Sequence, residues 1–528
     1  MANQSRRAFL EDVGRGMLVA SVGATIATDL ELAPRAFADD KGPARLSFGK
    51  LDALAGLMQD IPAEKQLPIL VKKLRDGTSL RELVAAGALA NARQFGGHDY
   101  VGWHTFMALA PAFEMAKELP EARQALPVLK VLYRNAQTIQ RSGGPQHEAL
   151  KPVEPRSLAA GRSGTELLRE AIQNRDLPEA DAIFAALVLR NPEIAYNDLQ
   201  PIVEEAIYPD ADGIHCAVLA WRAWATLDLT GKEHAQTLLR QSVHFCMDRE
   251  RRIDGGLEPS IRTALPRLLD RHKLIGRTAG RRPADDAWVD ELARTISAGN
   301  HERAAEAVAA ALAEGFDPEA VGEAISLAAN HLLLSDSGRP SPIGTGGSQF
   351  VKAKNSVHGD SAGVHASDAT NAWRNIARVS NSRSAFASLI VAAYNVGPSV
   401  GNFGGVGKDL YPLPEHLQRV RGKDPAALVG EAEEAIRAND QPLACAAVHR
   451  YGELGQSPRA ILDILLKYAV SEDGALHAEK YYRTATEEFA AARPAFRWRQ
   501  LVALARVTAS EYGQPAPGYA DACRLLHV

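Results

Sequence analysis

Four histidines share one setting in this chain. His98 in "QFGGHDYVGWHTF", His215 in "ADGIHCAVLAWRAW", His365 in "SAGVHASDATNAWRN" and His477 in "EDGALHAEKYYRT" each follow a glycine-bearing turn and stand where a helix-forming stretch begins. Neutral imidazoles with carboxylates close by are a ligand set for zinc, iron or copper, and a carboxylate can also orient a ring by accepting its N–H. Two of the settings are dense in such groups: His98, Asp99 and His104 in one, and His358, Asp360, His365 and Asp368 in the other. None has the H-x-x-x-H spacing that puts two ligands on one helix face, so the metal signal comes from recurrence and not from a local motif. The residues expected to act as acid–base groups are His365, His98, Asp99 and Asp368. Those expected as ligands are His98, His104, His215, His358, His365 and His477. A histidine at a helix start can equally cap the helix or bond a neighbouring carbonyl, and both readings stay open here.

The recurrence belongs to an internal repeat. "EAIQNRDLPEADAIFAALVLRNPE" (170–193) returns as "RTISAGNHERAAEAVAAALAEGFDPE" (294–319) and as "EAIRANDQPLACAAVHRYGELGQSPR" (434–459), with a degenerate copy over Leu51 to Glu82. Each reads as a helix end, a polar turn with Asn or Asp, a second helix, and a proline opening a third. Ser79 and His98, like Pro458 and His477, are separated by 19 residues. The modules implied are 39–160, 161–280, 281–421 and 422–528, with boundaries near Gly161, Arg281 and Gly422. Stacked helical repeats bring equivalent positions to one surface. The expectation is therefore an all-α fold of four repeated helical-hairpin modules forming an α/α array around a common cavity, on which the four histidines converge.

The third copy departs by an insertion, Ser337 to Gly363, rich in Gly and Ser. Modules that only stack have no reason to lengthen one turn, whereas a reacting centre commonly recruits a loop as its cover. The third module is thus expected to hold the working end, with His365 facing the cavity, Asp368 and Asn371 one and two helical turns on, and His358 approaching from the loop. "PIGTGGSQF" and "NVGPSVGNFGGVG" are candidate lids or surface linkers, and Lys352, Lys354 and Arg374 are candidate contacts for an anionic substrate. Neither glycine-rich stretch follows an apolar strand, so no P-loop, dinucleotide fingerprint or nucleotide cofactor is offered. "GRSGTE" likewise lacks the strand–turn–helix of a serine nucleophile elbow.

Composition narrows the class further. Of 528 residues 46% are hydrophobic and only 6% aromatic, alanine is abundant and β-branched alternation is scarce, which favours helices over strands. A net charge of -4, with no basic stretch interleaved with aromatics, argues against a nucleic-acid partner. Trp221, Trp224, Trp373 and Trp498 are placed as core residues of inner helices.

The first 38 residues read as a targeting segment. Paired Arg6 and Arg7 in "SRRAFL" precede the apolar run Gly16 to Thr28, and Ala36-Phe37-Ala38 offers a small-x-small cleavage site. The segment resembles a twin-arginine (Tat) export signal, with Glu11 where that motif usually has lysine. The resemblance implies passage through the Tat translocon in a folded state, cleavage near Ala38, a periplasmic or extracellular address, and no stable membrane span afterwards. The four cysteines, Cys216, Cys246, Cys445 and Cys523, form no C-x-x-C. Buried free thiols are expected, with a Cys216–Cys246 disulfide as the alternative.

"GVHASDATNAWR" and "GIHCAVLAWRAW", each with a Trp-Arg pair two to three turns after the histidine, make the body of the chain similar to the questin oxidase-like family of helical proteins. That resemblance spans most of the mature chain on short motifs, and it implies oxidative activity on a cyclic or aromatic substrate. Residues and resemblance together lead to an exported metal-dependent enzyme, an oxidoreductase acting on a small-molecule substrate. The alternative of another class is a non-catalytic helical-repeat binding or scaffold protein of the cell envelope.

Overall fold

The computed structural model describes residues 45–207, 211–251, 260–339, 342–344, 351–352, 354–357, 361–396 and 409–528. The export segment, His358, Asp360 and most of both glycine-rich loops lie outside these residues. The fold is all-α. Its only strands among the described residues are two of two residues each, β1 (Ile343–Gly344) and β2 (Val351–Lys352), paired antiparallel with Ile343 opposite Lys352. Among the described residues no helix is long and apolar enough to cross a membrane.

The chain divides into two compact units. One comprises Met1–Ala195, Ala223–Phe245 and Pro517–Val528, and the other Tyr196–Arg222 and Cys246–Ala516. The first unit holds α1 (Asp52–Asp60), α2 (Ala63–Arg75), α3 (Leu80–Phe95), α4 (Tyr100–Lys117), α5 (Ala125–Arg141), α6 (Gly164–Gln173) and α7 (Leu177–Arg190). The chain then passes between units within α8 (Pro192–Glu205), α9 (Ala211–Thr230) and α10 (Ala235–Glu250).

The second unit continues with α11 (Ile261–Arg271), α12 (Asp286–Ala298), α13 (His301–Ala313), α14 (Pro318–Ser335), α15 (Ala362–Val379) and α16 (Ser382–Val396). It is completed by α17 (Pro414–Gln418), α18 (Pro425–Arg437), α19 (Gln441–Glu453), α20 (Arg459–Ser471), α21 (His477–Ala491) and α22 (Arg497–Glu511), while α23 (Tyr519–Leu526) returns to the first. The repeat segments fall on α6–α8, α12–α14 and α18–α20, and the degenerate copy on α1–α3.

Local chemistry sets where these helices start. Ser79 and Ser163 head α3 and α6 in reciprocal capping boxes with Glu82 and Glu166. Asp176, Asp317, Asp424 and Asp440 accept from the first turns of α7, α14, α18 and α19, each with proline just inside the helix. In the first unit α3 is buried from Leu83 to Phe95, and its alanines let neighbours close in: a Cβ on Gly87 would lie 2.4 Å from Leu132 Cδ2. A fully buried Arg93 meets Gln59, Asp52 and Glu148 there, so the charge is paired where water cannot reach it.

In the second unit α15 is buried from Gly363 to Ile376. Ser361 caps it through the Val364 N–H, and Gly363 lies so close to α14 that a Cβ would come 2.4 Å from Leu333 Cα. A helix enclosed on every side must place its polar residues against other polar residues. That requirement shapes the site.

Candidate functional site

Three of the four expected histidines meet in the second unit. His365 on α15 packs edge-on against His215 of α9, ring centroids 4.9 Å apart, and against His477 of α21, 5.4 Å apart. A ring nitrogen of His215 and one of His477 lie within 4.8 Å of each other. All three side chains are buried, at 2%, 3% and 4% exposure for His215, His365 and His477. His365, expected from the sequence to face a cavity, is closed to solvent.

The backbone fixes two of these rings. His365 Nδ1 lies 3.2 Å from the Ser361 carbonyl oxygen, and His477 Nδ1 lies 3.1 Å from that of Ala475. A carbonyl only accepts, so Nδ1 donates, and the lone pair of the neutral ring falls to Nε2. This is the arrangement by which a backbone carbonyl orients a metal-binding imidazole. His477 is reached through an unusual turn: Gly474, Ala475 and Leu476 all have positive φ, at 51°, 45° and 67°. For alanine and leucine that conformation is strained, and such strain is found where the surrounding structure needs a side chain in one place.

Beneath the histidines runs a layer of buried charge. Asp368, three residues after His365, lies in the field of Lys480, three residues after His477, and of Arg222, seven residues after His215. Burial raises the Asp368 pKa against the pull of Lys480, the Thr484 hydroxyl and Arg222. Burial also pushes the Lys480 amine down to about 8, aided by Arg222 and resisted by Asp368 and Glu479, and it lowers Arg222 against Glu487 and Asp368. One turn further, Asn371 donates to Glu487 at 2.9 Å and to Glu488 at 3.0 Å. Burial would raise Glu487, but Arg222, Arg483, Asn371 and Asn375 together hold it below the usual carboxylate range. Because residues 365, 368 and 371 meet partners on α21 in ascending order, α15 and α21 run parallel. Their histidines therefore share one end and their charges the other.

Asp99 caps α4, accepting from the Gly102 N–H at 2.6 Å, and His98 lies exposed before that helix in the first unit. His104, inside α4, is 2% exposed, stacks on Trp103, and sets its Nδ1 2.7 Å from the Tyr100 carbonyl oxygen. It thus repeats the back-bonded state of His365. Arg374 is committed to Glu488 and Glu319, so it forms part of the charged layer, and Lys354 is exposed. Of the four tryptophans named above, only Trp373 is wholly buried.

Lys480, Glu487 and Glu488 were not read from the sequence. Their signal was present as the helical spacing +3, +10 and +11 from His477, and Arg222 closes the Trp-Arg pair after His215. Cys216 and Cys246 are buried thiols with sulfurs 3.4 Å apart. The side-chain contact with Cys216, then burial, raise the Cys246 pKa well above the usual thiol value.

No protein-family model, curated protein or solved structure matches this chain.

Proposed function

We propose that this protein is an exported metal-dependent enzyme, an oxidoreductase acting on a small cyclic or aromatic substrate, and that His215, His365 and His477 hold its ion. The observation that carries the reading is the meeting of three buried imidazoles from α9, α15 and α21, with the carbonyls of Ser361 and Ala475 turning two lone pairs to Nε2. Imidazole nitrogens suit iron, copper and zinc, and one of His215 lies within 4.8 Å of one of His477. A bound iron or copper ion supplies electron-transfer chemistry, and zinc would supply Lewis acidity alone.

The chain's own groups handle charge and protons around that centre. Lys480, buried and brought down to about 8, gives up or takes a proton at Nζ near neutral pH. Asp368 and Arg222 set the field in which it does so, and the enclosure of the layer excludes water. The oxidative chemistry and substrate class rest on the questin oxidase-like resemblance of the His and Trp-Arg segments. Export to the periplasm or beyond rests on Arg6, Arg7 and the Ala36–Ala38 site.

Elemental analysis of protein purified without a histidine tag tests the reading. About one transition-metal ion per chain is expected, lost in each of His215→Ala, His365→Ala and His477→Ala. A metal-free wild-type chain would instead favour the binding or scaffold reading.

A further inference from the structure

The first unit carries a second imidazole pair that the three-histidine cluster does not use. His98 lies against His244 of α10, ring centroids 4.9 Å apart and planes inclined by 34°. The rings differ in setting, since His98 is exposed and His244 is 2% exposed. His244 Nε2 is 2.7 Å from Asp181 Oδ1 on α7, and a carboxylate cannot donate, so Nε2 carries the proton. The lone pair of the neutral ring is then on Nδ1, a buried atom with no hydrogen-bond partner among the described residues. The negative charge of Asp181 is shared with Arg240, 3.5 Å away, so the carboxylate is itself held in place.

What keeps the space beside Nδ1 open is glycine. Gly96 and Gly97 have φ of 57° and 92°, a left-handed pair that turns the chain out of α3 and brings His98 over α10. A Cβ on Gly96 would lie 3.3 Å from His244 Nδ1 and fill that space. One on Gly97 would come 2.2 Å from the Gln241 carbonyl oxygen and push the turn away. The result is an oriented buried imidazole with a bare lone pair, a cradle beside it, and a second imidazole at the solvent edge.

We propose that His98 and His244 form a divalent transition-metal site in the first unit, open to water on the His98 side, with Asp181 orienting His244. A buried lone pair without a partner is normally met by a cation or a donor, and an ion between the two imidazoles would be completed by water. The proposal does not depend on the function inferred above, because none of its residues belongs to the three-histidine cluster.

The test is titration of chelator-stripped, untagged full-length mature chain with Zn2+ against a chromophoric competitor. Wild type is expected to bind one more equivalent than His98→Ala, an exposed position whose loss leaves the fold intact. Asp181→Asn is expected to weaken that same step 10- to 100-fold without removing it. Identical titrations of wild type and His98→Ala would overturn the site. A step lost in His98→Ala but unchanged in Asp181→Asn would overturn the role of His244. An ion in the three-histidine cluster would appear equally in all three proteins, so its presence or absence does not mask the result.

Discussion

The turns that precede His98 and His477 each place the two residues before the histidine at positive φ, but from different residue types. In the first unit Gly96 and Gly97 adopt positive φ at no steric cost and deliver an exposed histidine. In the second, Ala475 and Leu476 occupy the equivalent positions, adopt positive φ with side chains that resist it, and deliver a buried histidine into a cluster. Positive φ at these two positions is thus common to both turns while residue type and the burial of the histidine diverge. Where the strained version persists, the packing around His477 must over-determine it.

One carboxylate from each unit sharpens this contrast most. Asp368→Ala removes the negative charge facing Lys480 and Arg222 in a closed interior, and should cost about 3 kcal/mol or more. Asp99→Ala removes only a helix cap and should cost about 1 kcal/mol. Urea unfolding of the two variants checks the ranking, and equal midpoints would break the comparison.

Acid should find a weakness in the second unit away from the cluster. Burial first, and the Arg499 guanidinium second, bring His331 from 6.5 down to about 4, and Arg499 donates to its Nε2 at 2.9 Å. The folded pKa lies below the unfolded one, so this contribution is intact above pH 6.5 and is lost as pH falls to about 4. Asp290 favours the charged ring and Arg294 opposes it, both included in that balance. Roughly 3 kcal/mol should disappear over that window. His331→Gln should flatten the curve, and a wild-type stability that is level from pH 7 to 4.5 would contradict the assignment.

The smallest effects address the turns themselves. Ala475→Gly should raise stability by about 0.5–1 kcal/mol, since glycine relieves a positive φ. Gly97→Ala should lower it by about 1–3 kcal/mol, because the new Cβ meets the Gln241 carbonyl. Thermal melts read both signs, and two shifts in the same direction would show that the turns are not equivalent.

Much of this was legible in the sequence for identifiable reasons. Capping boxes at Ser79 and Ser163, prolines just inside α7 and α14, and alanine-rich runs define helices locally. The repeat spacing drew attention to His215, His365 and His477. Register at His98 was less legible: a histidine after a turn looks like a helix start, but Gly96 and Gly97 leave it outside α4, and His104 takes the back-bonded position. The charged layer was legible on one side only: Asp368, Asn371 and Arg374 stand out on α15, whereas Lys480 and Glu487 on α21 are distinguished from a surface face only by their tertiary partners on α15 and α9.

The most direct measurement of the central claim is an anomalous-scattering map from crystals of the untagged protein, recorded at the absorption edge of whichever metal elemental analysis finds. A peak bounded by the Nε2 atoms of His365 and His477 and a ring nitrogen of His215 is the predicted result. Crystals with no peak among these three rings, while the protein in solution carries its full complement of metal, would contradict the account.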